Sequence, residues 1–372
     1  MGTTVDVSVV LPTFNEALSL PHLIPRIHDV LQSAGLYGEV IVVDDDSPDG
    51  TAEVARRLTA SYRVRTVKRT SERGLATAVL AGFELSQAEV CVVMDADGSH
   101  PVEVLPQMVA MILRDEADVV VGSRRVEGGG SQDWPWFSRI KSRLAALLAR
   151  GLSGMTDPTT GFMAVRRSLL RGVHLDPLGW KIVLEVVVKT APARLEEIPI
   201  VFSGRIHGES KQNLSVFWEY VRHCARLYHY RIPSVMEFVK FCIVGGLGVF
   251  VDLAAVVVLK ELAGLDTRFC ATGGFLAAVT SNYLLNRYWT FKDAVYTPFW
   301  RSYGTYVVMN VFGLLVRLLT VHVLMTVAGL DSGYWYIVTN LAGIALATLV
   351  NFAGVKYFAF DPDSVLLRGP GA

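Results

Sequence analysis

The sequence has few cysteines, no net charge and no leader pattern in its first residues, and each of these shortages excludes some classes of function. The cysteines are Cys91, Cys224, Cys242 and Cys270, without a close pair or a metal-binding spacing. This excludes a disulfide scaffold and suits a reducing compartment. Because 35 basic residues balance 35 acidic ones, no nucleic acid partner is expected. Residues 1–6 show no basic region followed by an apolar run, so the first domain is expected in the cytosol.

Apolar residues are plentiful, at 51% of 372 residues with a mean hydropathy of +0.37, which is high for a soluble enzyme. The sequence changes character near Pro233, and this predicts domains over residues 1–232 and 233–372. Before the boundary, apolar strand-like runs alternate with helical patterns, which favours an α/β fold with a mostly parallel sheet. The strand candidates are residues 7–11, 40–43, 64–67, 90–94 and 119–122, and the helix candidates are 18–34, 51–61, 74–85 and 103–113.

Four long apolar stretches follow the boundary, near residues 238–260, 269–289, 303–327 and 335–358. Each is long enough to cross a ~30 Å hydrocarbon layer as a helix, which predicts an all-α, multi-pass membrane domain with four helices. Basic residues precede the first stretch and surround the second connection, whereas the third connection contains no lysine or arginine. Both termini and the first domain are therefore expected on the cytosolic side.

The membrane half carries an internal repeat. The tetrapeptide at 263–266, Ala-Gly-Leu-Asp, recurs at 328–331, and Asn282 and Asn351 each stand nine residues before a phenylalanine. We interpret these as two parallel helical hairpins. In this alignment Asp252 falls opposite Arg317, which predicts an ion pair between the repeats because charges inside a membrane tend to pair. Small residues near Gly248 would support homo-oligomer formation through this domain.

The most informative chemical feature is the apolar run 90–94, which ends in Asp95 and Asp97. Gly98 and Pro101 stop the run, so both carboxylates are expected at the carboxyl end of a buried strand, where open α/β sheets bind ligands. Two hard oxygen donors there suit a divalent cation, Mg²⁺ or Mn²⁺, that holds a diphosphate. An isolated Asp-x-Asp more often closes a turn.

Two earlier strands also end in polar residues. Residues 11–16, Leu-Pro-Thr-Phe-Asn-Glu, follow the first strand, and residues 44–51, Asp-Asp-Asp-Ser-Pro-Asp-Gly-Thr, follow the second. Carboxylates accept hydrogen bonds from ribose or base, which predicts nucleotide contacts for Asp44 and Asp45. Asp49 and Thr51 are expected to cap the next helix.

These three strand ends together resemble the glycosyltransferase family 2 domain, with its GT-A nucleotide-sugar fold and helices on both faces of the sheet. Further motifs resemble the polyprenol (dolichol) phosphate mannose synthases over residues 5–225. They are VDDDSPDGT at 43–51, DADGSHP at 95–101, GSR at 122–124, DPTTGF at 157–162, GWKIVLE at 179–185 and GESK at 208–211. The membrane half resembles the four-span GtrA-like domain that is fused to some members.

The resemblance implies metal-dependent transfer of mannose from GDP-mannose to a polyprenyl or dolichyl phosphate at a lipid bilayer, with inversion at the sugar carbon. Asp95, Asp97 and Arg124 would be catalytic, and Asp95, Asp97 and Ser99 would hold the metal. Ser99 stands where many members have glutamine, and Phe14 where they often have tyrosine. Arg124, Arg139 and Ser123 would bind the acceptor phosphate. The nucleotide-sugar would contact Pro12, Phe14, Glu16, Asp44, Asp45, Asp95, Ala96, Asp97, Arg205 and Lys211.

Residues 134–148, with Trp134, Trp136 and interleaved cations, predict an amphipathic helix in the headgroup layer. The alternative is a helix packed inside the soluble domain. Residues 217–230 predict a second surface helix.

Three other functions compete with this interpretation. A UDP-glucose to bactoprenol phosphate transferase would share the fold and the acidic pair. A processive polysaccharide synthase would carry a Gln-x-x-Arg-Trp motif, which this sequence does not contain. A lipid-sugar translocator would use the membrane half as the working part, with the first domain only docking.

Overall fold

The computed structural model of the chain consists of two units, Met1–Arg231 and Ile232–Ala372. It describes residues 5–131, 136–203, 214–327 and 334–360, with all side chains in these ranges except those of 136–142, 214–216 and 293.

The first unit contains a seven-stranded sheet in the order β3-β2-β1-β4-β7-β5-β8. All neighbouring strands are parallel except β7, which runs antiparallel to β4 and to β5. β6 and β9 form a separate parallel pair. The strands are β1 (Val7–Thr13), β2 (Gly38–Asp44), β3 (Val64–Lys68), β4 (Val90–Val93), β5 (Val119–Ser123), β6 (Gly130–Ser131), β7 (Met163–Arg166), β8 (Leu195–Pro199) and β9 (Val201–Phe202).

Helices cover both faces of the sheet, and the strands are apolar throughout for this reason. Along β1, Val9 and Leu11 pack into one core cluster, whereas Val10 packs into a second cluster on the opposite face. The helices are α1 (Leu20–Ser33), α2 (Thr51–Leu58), α3 (Leu75–Leu85), α4 (Leu105–Leu113), α5 (Trp136–Ser153), α6 (Ile182–Thr190) and α7 (Leu214–Arg231). The predicted α/β fold with a mostly parallel sheet is confirmed, and each strand candidate corresponds to an observed strand.

The second unit is helical. It contains α8 (Pro233–Glu261), α9 (Thr267–Leu285), α10 (Phe299–Thr326) and α11 (Trp335–Gly354), and the π-helical turns Asn286–Thr290 and Val355–Ala359 follow α9 and α11. In the part of the chain that the structure describes, three helical segments are long and apolar enough to span a membrane: Pro233–Glu261, Phe299–Thr326 and Trp335–Ala359. α9 lies at the second predicted span but includes polar residues such as Ser281 and Asn282, so four spans remain a prediction.

The hairpins of the predicted repeat share one packing device. Asn282 of α9 sits against Gly248 of α8, and Asn351 of α11 sits against Gly313 of α10. In each hairpin, a Cβ on the glycine would overlap the asparagine amide. The absence of a side chain on one helix therefore makes room for a polar side chain on the other.

The predicted ion pair between Asp252 and Arg317 is wrong, because both residues turn toward their own hairpins. Asp252 packs against Gly274, and Arg317 Nη2 lies 3.4 Å from Asn340 Oδ1. Within the described residues, no ion pair joins the two side chains.

The contact between Gly313 and Asn351 leads to a stability prediction. Gly313→Ala should lower the Tm of the detergent-solubilised protein, since overpacking a filled contact typically costs about 1–3 kcal/mol. Gly245→Ala is the matched control, because a Cβ there would meet nothing within 4 Å. The control should melt at the wild-type temperature or slightly above it, given alanine's higher helix propensity. Equal melting of the two variants would contradict this packing.

Candidate active site

The carboxyl ends of β1 and β2 are tied together by side chains of the second loop. Asn15 N donates to Ser47 Oγ (3.0 Å), Glu16 N to Thr51 Oγ1 (2.9 Å) and Ala17 N to Asp49 Oδ2 (3.0 Å). Asp49 also accepts from Thr51 N at 3.0 Å. These side chains therefore shape the edge of the sheet. The expectation that Asp49 and Thr51 cap the next helix is corrected by the structure, because the N-cap of α2 is Gly50, which has no side-chain cap, and the two side chains bind the loop after β1.

Three turns at this edge pass through left-handed backbone conformations. Asn15 has φ 62°, Asp46 has φ 55° and Gly98 has φ 76°. Asparagine, aspartate and glycine tolerate this region best, which accounts for their presence directly after β1, β2 and β4. Backbone strain of this kind concentrates at ligand sites.

Asp44 and Asp45, both predicted to bind the nucleotide, are buried and hydrogen-bonded within the protein. Asp44 accepts from Ser47 N (3.0 Å) and from Thr13 Oγ1 (3.3 Å). Asp45 accepts from Arg69 Nε and Gly74 N, each at 2.7 Å. Their nucleotide contacts remain a prediction, whereas these hydrogen bonds show that both carboxylates organise the loop.

A cavity of about 490 Å³ opens beside this loop. Phe14, of which 42% is exposed, contributes to its lining. Lys68 and Arg73 lie 3.0 and 3.3 Å from the Asp46 carboxylate, and they lower its pKa. An ionised acceptor beside an aromatic ring suits a nucleoside. The lining residues are Phe14, Asp46, Ser47, Pro48, Gly50, Glu53, Lys68 and Arg73.

The acidic pair follows β4, as the sequence predicts. Asp95 keeps 32% of its side chain exposed, while Asp97 is buried and accepts from Ser99 N at 3.0 Å. Ala96 and Ser99 are buried, and Ser99 Oγ has no hydrogen-bond partner among the described residues. In the same part of the chain, no group of three or more His, Cys, Asp or Glu residues is arranged to hold a metal.

The buried His100 holds the backbone of the acidic pair in place. Its Nδ1 accepts from Asp95 N at 3.1 Å, and its ring stacks on Phe162 with centroids 5.0 Å apart. Burial lowers the pKa of the His100 imidazole despite the charges of Asp95 and Asp97. A neutral ring with an acceptor Nδ1 therefore fixes the backbone of the first carboxylate.

Arg124, at the end of β5, is bound by the 157–161 turn. Its Nε donates to Asp157 Oδ2 at 2.6 Å and its Nη2 to Asp157 Oδ1 at 2.8 Å. The same Nη2 lies 2.8 Å from Thr159 Oγ1. Asp157 is fully buried; burial would raise the pKa of this carboxyl, but the Arg124 hydrogen bonds and charge outweigh it and hold the pKa at about 2. Ser123 is also buried, with its Oγ 3.1 Å from Thr156 Oγ1.

Lys181, the residue directly before α6, contacts the same turn. Its Nζ donates to Thr159 O at 2.6 Å. Burial, together with the positive charge of Arg124, lowers the pKa of Lys181 to about 8, while Asp157 and Asp95 act in the opposite direction. The lysine is therefore largely charged near neutral pH.

The rest of the 179–185 motif anchors α6 to α7. The buried Glu185 accepts from Lys189 Nζ at 2.7 Å and from Arg226 Nη2 at 3.3 Å. Gly179, at φ 69°, leaves room for Glu219 of α7. This motif therefore fixes the helix that begins at Lys181 against the last helix of the first unit.

The 157–161 turn brings the acidic pair close to a cation cluster that consists of Arg124 and Lys181. It leads into β7, which lies between β4 and β5 in the sheet. Gly161 lies against Asp95, since a Cβ there would be 3.5 Å from Asp95 Oδ1, while Asp157 binds Arg124. The turn therefore joins the acidic residues after β4 to the arginine after β5 in one site.

α5 lies at the first predicted interfacial helix and has two distinct faces. Ala149 and Leu152 are buried, whereas Leu144 and Leu147 are 51% and 65% exposed. Tyr220 of α7 donates to Ala145 O at 2.8 Å and so holds the helix from its buried side. The exposed leucines give this helix the apolar face that a surface helix needs.

Several predicted site residues lie outside the described residues: Trp134, Arg205, Lys211 and the side chain of Arg139. Pro12 is buried in β1, and Glu16 accepts from Ser19 Oγ at 2.7 Å. Conversely, sequence reasoning gave no role to Asp157 or Lys181, although both stand in quoted motifs. The sequence did offer a signal for both. Asp157 comes shortly before the apolar strand β7 and Lys181 directly before the apolar helix α6, and a charged side chain beside a buried apolar segment requires a partner.

Comparison with known proteins agrees with this geometry. The model of the "Glycosyl transferase family 2" family matches residues 8–173, and that of the "GtrA/DPMS, transmembrane domain" matches residues 240–360. The chain is 35% identical to a dolichol-phosphate mannosyltransferase of Pyrococcus furiosus, over 94% of this chain and 97% of that one. It is 35% identical to one of Mycosarcoma maydis, over 63% and 83% of the two chains. It is also 37% identical to an undecaprenyl-phosphate mannosyltransferase of Micrococcus luteus, over 59% and 93%.

Fold, site and sequence together define a family 2 glycosyltransferase joined to a GtrA-type membrane domain. The chain belongs to the dolichol-phosphate mannosyltransferase family. It is a membrane protein and a glycosyltransferase.

The Asp157 ion pair makes a pH-dependent stability prediction. Its folded pKa of about 2 lies below the ordinary 3.8, so its stabilisation of ~2 kcal/mol is complete above the unfolded pKa and is lost as the pH falls toward the folded one. Asp157→Asn should therefore lower the Tm most near neutral pH, with the difference from wild type shrinking on acidification. Melting curves from about pH 7 to about pH 3 measure this.

The control for that series is Asp29→Asn, since the Asp29 side chain is 73% exposed. It should follow the wild-type Tm throughout. A Tm difference for Asp157→Asn that is independent of pH would contradict the ionised buried pair.

Proposed function

We propose that the protein transfers mannose from GDP-mannose to a polyprenyl (dolichyl) phosphate, with inversion at the anomeric carbon and with a divalent cation. The observation that carries the proposal is that one turn, 157–161, contacts both Asp95 of the acidic pair and Arg124 at one end of the sheet. Full-length similarity to a dolichol-phosphate mannosyltransferase supports the same sugar and acceptor class.

The proposed reaction is a single displacement. An oxygen of the acceptor phosphate attacks the anomeric carbon, the bond from this carbon to the β-phosphate oxygen breaks, and GDP leaves with the electron pair. The acceptor is a phosphate monoester, already anionic near neutral pH. It needs no protein base, so the residues of the site have to position two anions and stabilise the departing charge.

Two features support a nucleotide-sugar donor beside β1 and β2. The cavity beside Phe14 is open and polar, and Asp46 presents an ionised carboxylate there. Guanine offers two neighbouring N–H donors to such an acceptor, whereas uracil offers one. Arg205 and Lys211 would close over the diphosphate in this proposal.

The residues after β4 fit a divalent cation. Asp95 and Asp97 supply carboxylates, and Ser99 supplies a buried hydroxyl that has no hydrogen-bond partner within the described ranges. Such oxygen donors suit Mg²⁺ or Mn²⁺, and a substrate diphosphate commonly completes the coordination. When bound, the cation would neutralise charge on the leaving diphosphate.

The acceptor phosphate would bind at the cation cluster after β5, at Arg124, with Ser123 and Arg139 in supporting roles. The exposed leucines of α5 would lie in the headgroup layer and bring this site to the lipid. The second unit would then cross the bilayer four times, with both termini cytosolic, so that donor and acceptor meet on the cytosolic side.

A transfer assay tests the proposal directly. Purified full-length protein with a polyprenyl phosphate should move label from GDP-mannose into an organic-extractable lipid, and EDTA should abolish the transfer. Label arriving only from UDP-glucose would replace the donor and keep the mechanism. No lipid product from either donor would contradict the proposal and favour the translocator.

Asp97→Asn should lower kcat by at least about 100-fold in the same assay, because it removes a carboxylate at the departing diphosphate. Asp29→Asn, far out on the exposed face of α1, is the matched control and should retain wild-type kcat. Full activity of Asp97→Asn would show that the Asp97 carboxylate is not needed for the reaction and would contradict the proposed role of the acidic pair.

Cysteine labelling tests the proposed topology. In a variant without the native cysteines, Leu262→Cys should react with an impermeant maleimide only from outside the cell, and Tyr296→Cys only from the cytosolic side. Both positions are at least 80% exposed, so accessibility in the protein does not limit labelling. Reaction of both from one side would mean that α9 does not cross the bilayer.

A further inference from the structure

The Lys181 ammonium lies where the two halves of the site meet. Its Nζ donates to Thr159 O at 2.6 Å, and the Thr159 hydroxyl is 2.8 Å from Arg124 Nη2. The charge of Asp95 also reaches it. Lys181 is therefore linked to Arg124 through Thr159 and is near enough to Asp95 for their charges to interact.

Lys181 is a third cation beside this turn. Arg124 and Asp157 form a two-pronged ion pair, and Arg125 Nε lies 3.8 Å from Asp157 Oδ1. On the far side, Glu197 accepts from Asp157 N at 3.2 Å. Among the described residues that these contacts connect, Lys181 therefore adds a third positive charge to two arginines and two carboxylates, and Asp95 is near enough to act on it.

We propose that Lys181 is a second cation of the acceptor-phosphate site and binds the phosphate together with Arg124. This assignment rests on the proposed function, because it names a further ligand for the same acceptor. A phosphate monoester carries about −1.5 to −2 charges near neutral pH. Arg124 is engaged with Asp157, so a second cation close to it would strengthen the attraction of the site for that anion.

The neighbouring structure explains how a lysine can be held there. Lys181 precedes α6, whose Glu185 is buried among Lys189, Arg226 and the backbone N of Asp176. The helix is thereby fixed against α7, and the lysine at its start is fixed against the turn. A rigidly placed ammonium loses less entropy when it binds an anion than a flexible surface lysine does.

The test measures acceptor binding without any sugar donor. Calorimetric titration of the full-length protein in detergent would use a short-chain isoprenyl phosphate, with the matching isoprenol as an uncharged ligand. Lys181→Gln can still donate to Thr159 O but removes the charge. It should weaken phosphate binding by about tenfold or more, equivalent to about 1.4 kcal/mol per factor of ten. Binding of the isoprenol, and of GDP in a separate titration, should remain within about threefold of wild type.

Two variants complete the design. Lys181→Arg keeps the charge and should bind the phosphate within about threefold of wild type. Arg57→Gln also removes one positive charge, but from an exposed position on α2, which packs against β3. It should leave phosphate affinity unchanged. The Tm of each variant reports folding, and if Lys181→Gln does not fold, phosphate binding by Lys181→Arg decides the assignment.

Wild-type affinity in Lys181→Gln would overturn the assignment, as would an equal loss of phosphate and GDP binding, which would indicate a general structural role. Because no donor is present, the result does not depend on which sugar the enzyme transfers. Failure of the wild-type protein to bind any isoprenyl phosphate would instead overturn the proposed acceptor itself, and Lys181 with it.

Discussion

The ion pair between Asp157 and Arg124 is the interaction on which the site depends. Asp157 is fully buried, and its carboxylate receives both the Nε and the Nη2 of Arg124. A charge in that position is stable only with its partner in place. The pair therefore fixes the end of β5 against the turn before β7, and it keeps a guanidinium at the carboxyl edge of the sheet instead of letting it extend into solvent.

The position of β7 connects this local pair to the acidic residues of the candidate active site. β7 runs antiparallel between β4 and β5, so the turn that enters it lies between the acidic residues after one strand and the arginine after the other. Gly161 contacts Asp95, and Asp157 contacts Arg124, at opposite ends of the same short segment. In the proposed reaction, the donor would be held through a cation on the carboxylates and the acceptor by Arg124, and the two would approach from either side of this turn.

Sequence patterns predicted much of the architecture, because buried parallel strands are apolar runs and the strand ends carry Asn, Asp and Gly. Those signals are local. β7 was not predicted, since Met163–Arg166 is short and its pairing with β4 and β5 is non-local. The contact of Arg124 with Asp157 spans 33 residues of sequence, and an ion pair at that separation leaves no periodic pattern. The inward turn of Asp44, and the separate partners of Asp252 and Arg317, likewise depend on packing that residue spacing does not encode.

The central claim is that the acceptor phosphate binds at this cluster, beside the acidic pair. A crystal structure of the full-length protein with GDP and a short-chain isoprenyl phosphate tests it most directly. The account predicts phosphate oxygens within hydrogen-bond distance of the Arg124 guanidinium and Lys181 Nζ, with the isoprenyl chain directed toward the exposed leucines of α5. A phosphate bound elsewhere, with Arg124 and Lys181 contacting only protein groups, would contradict it.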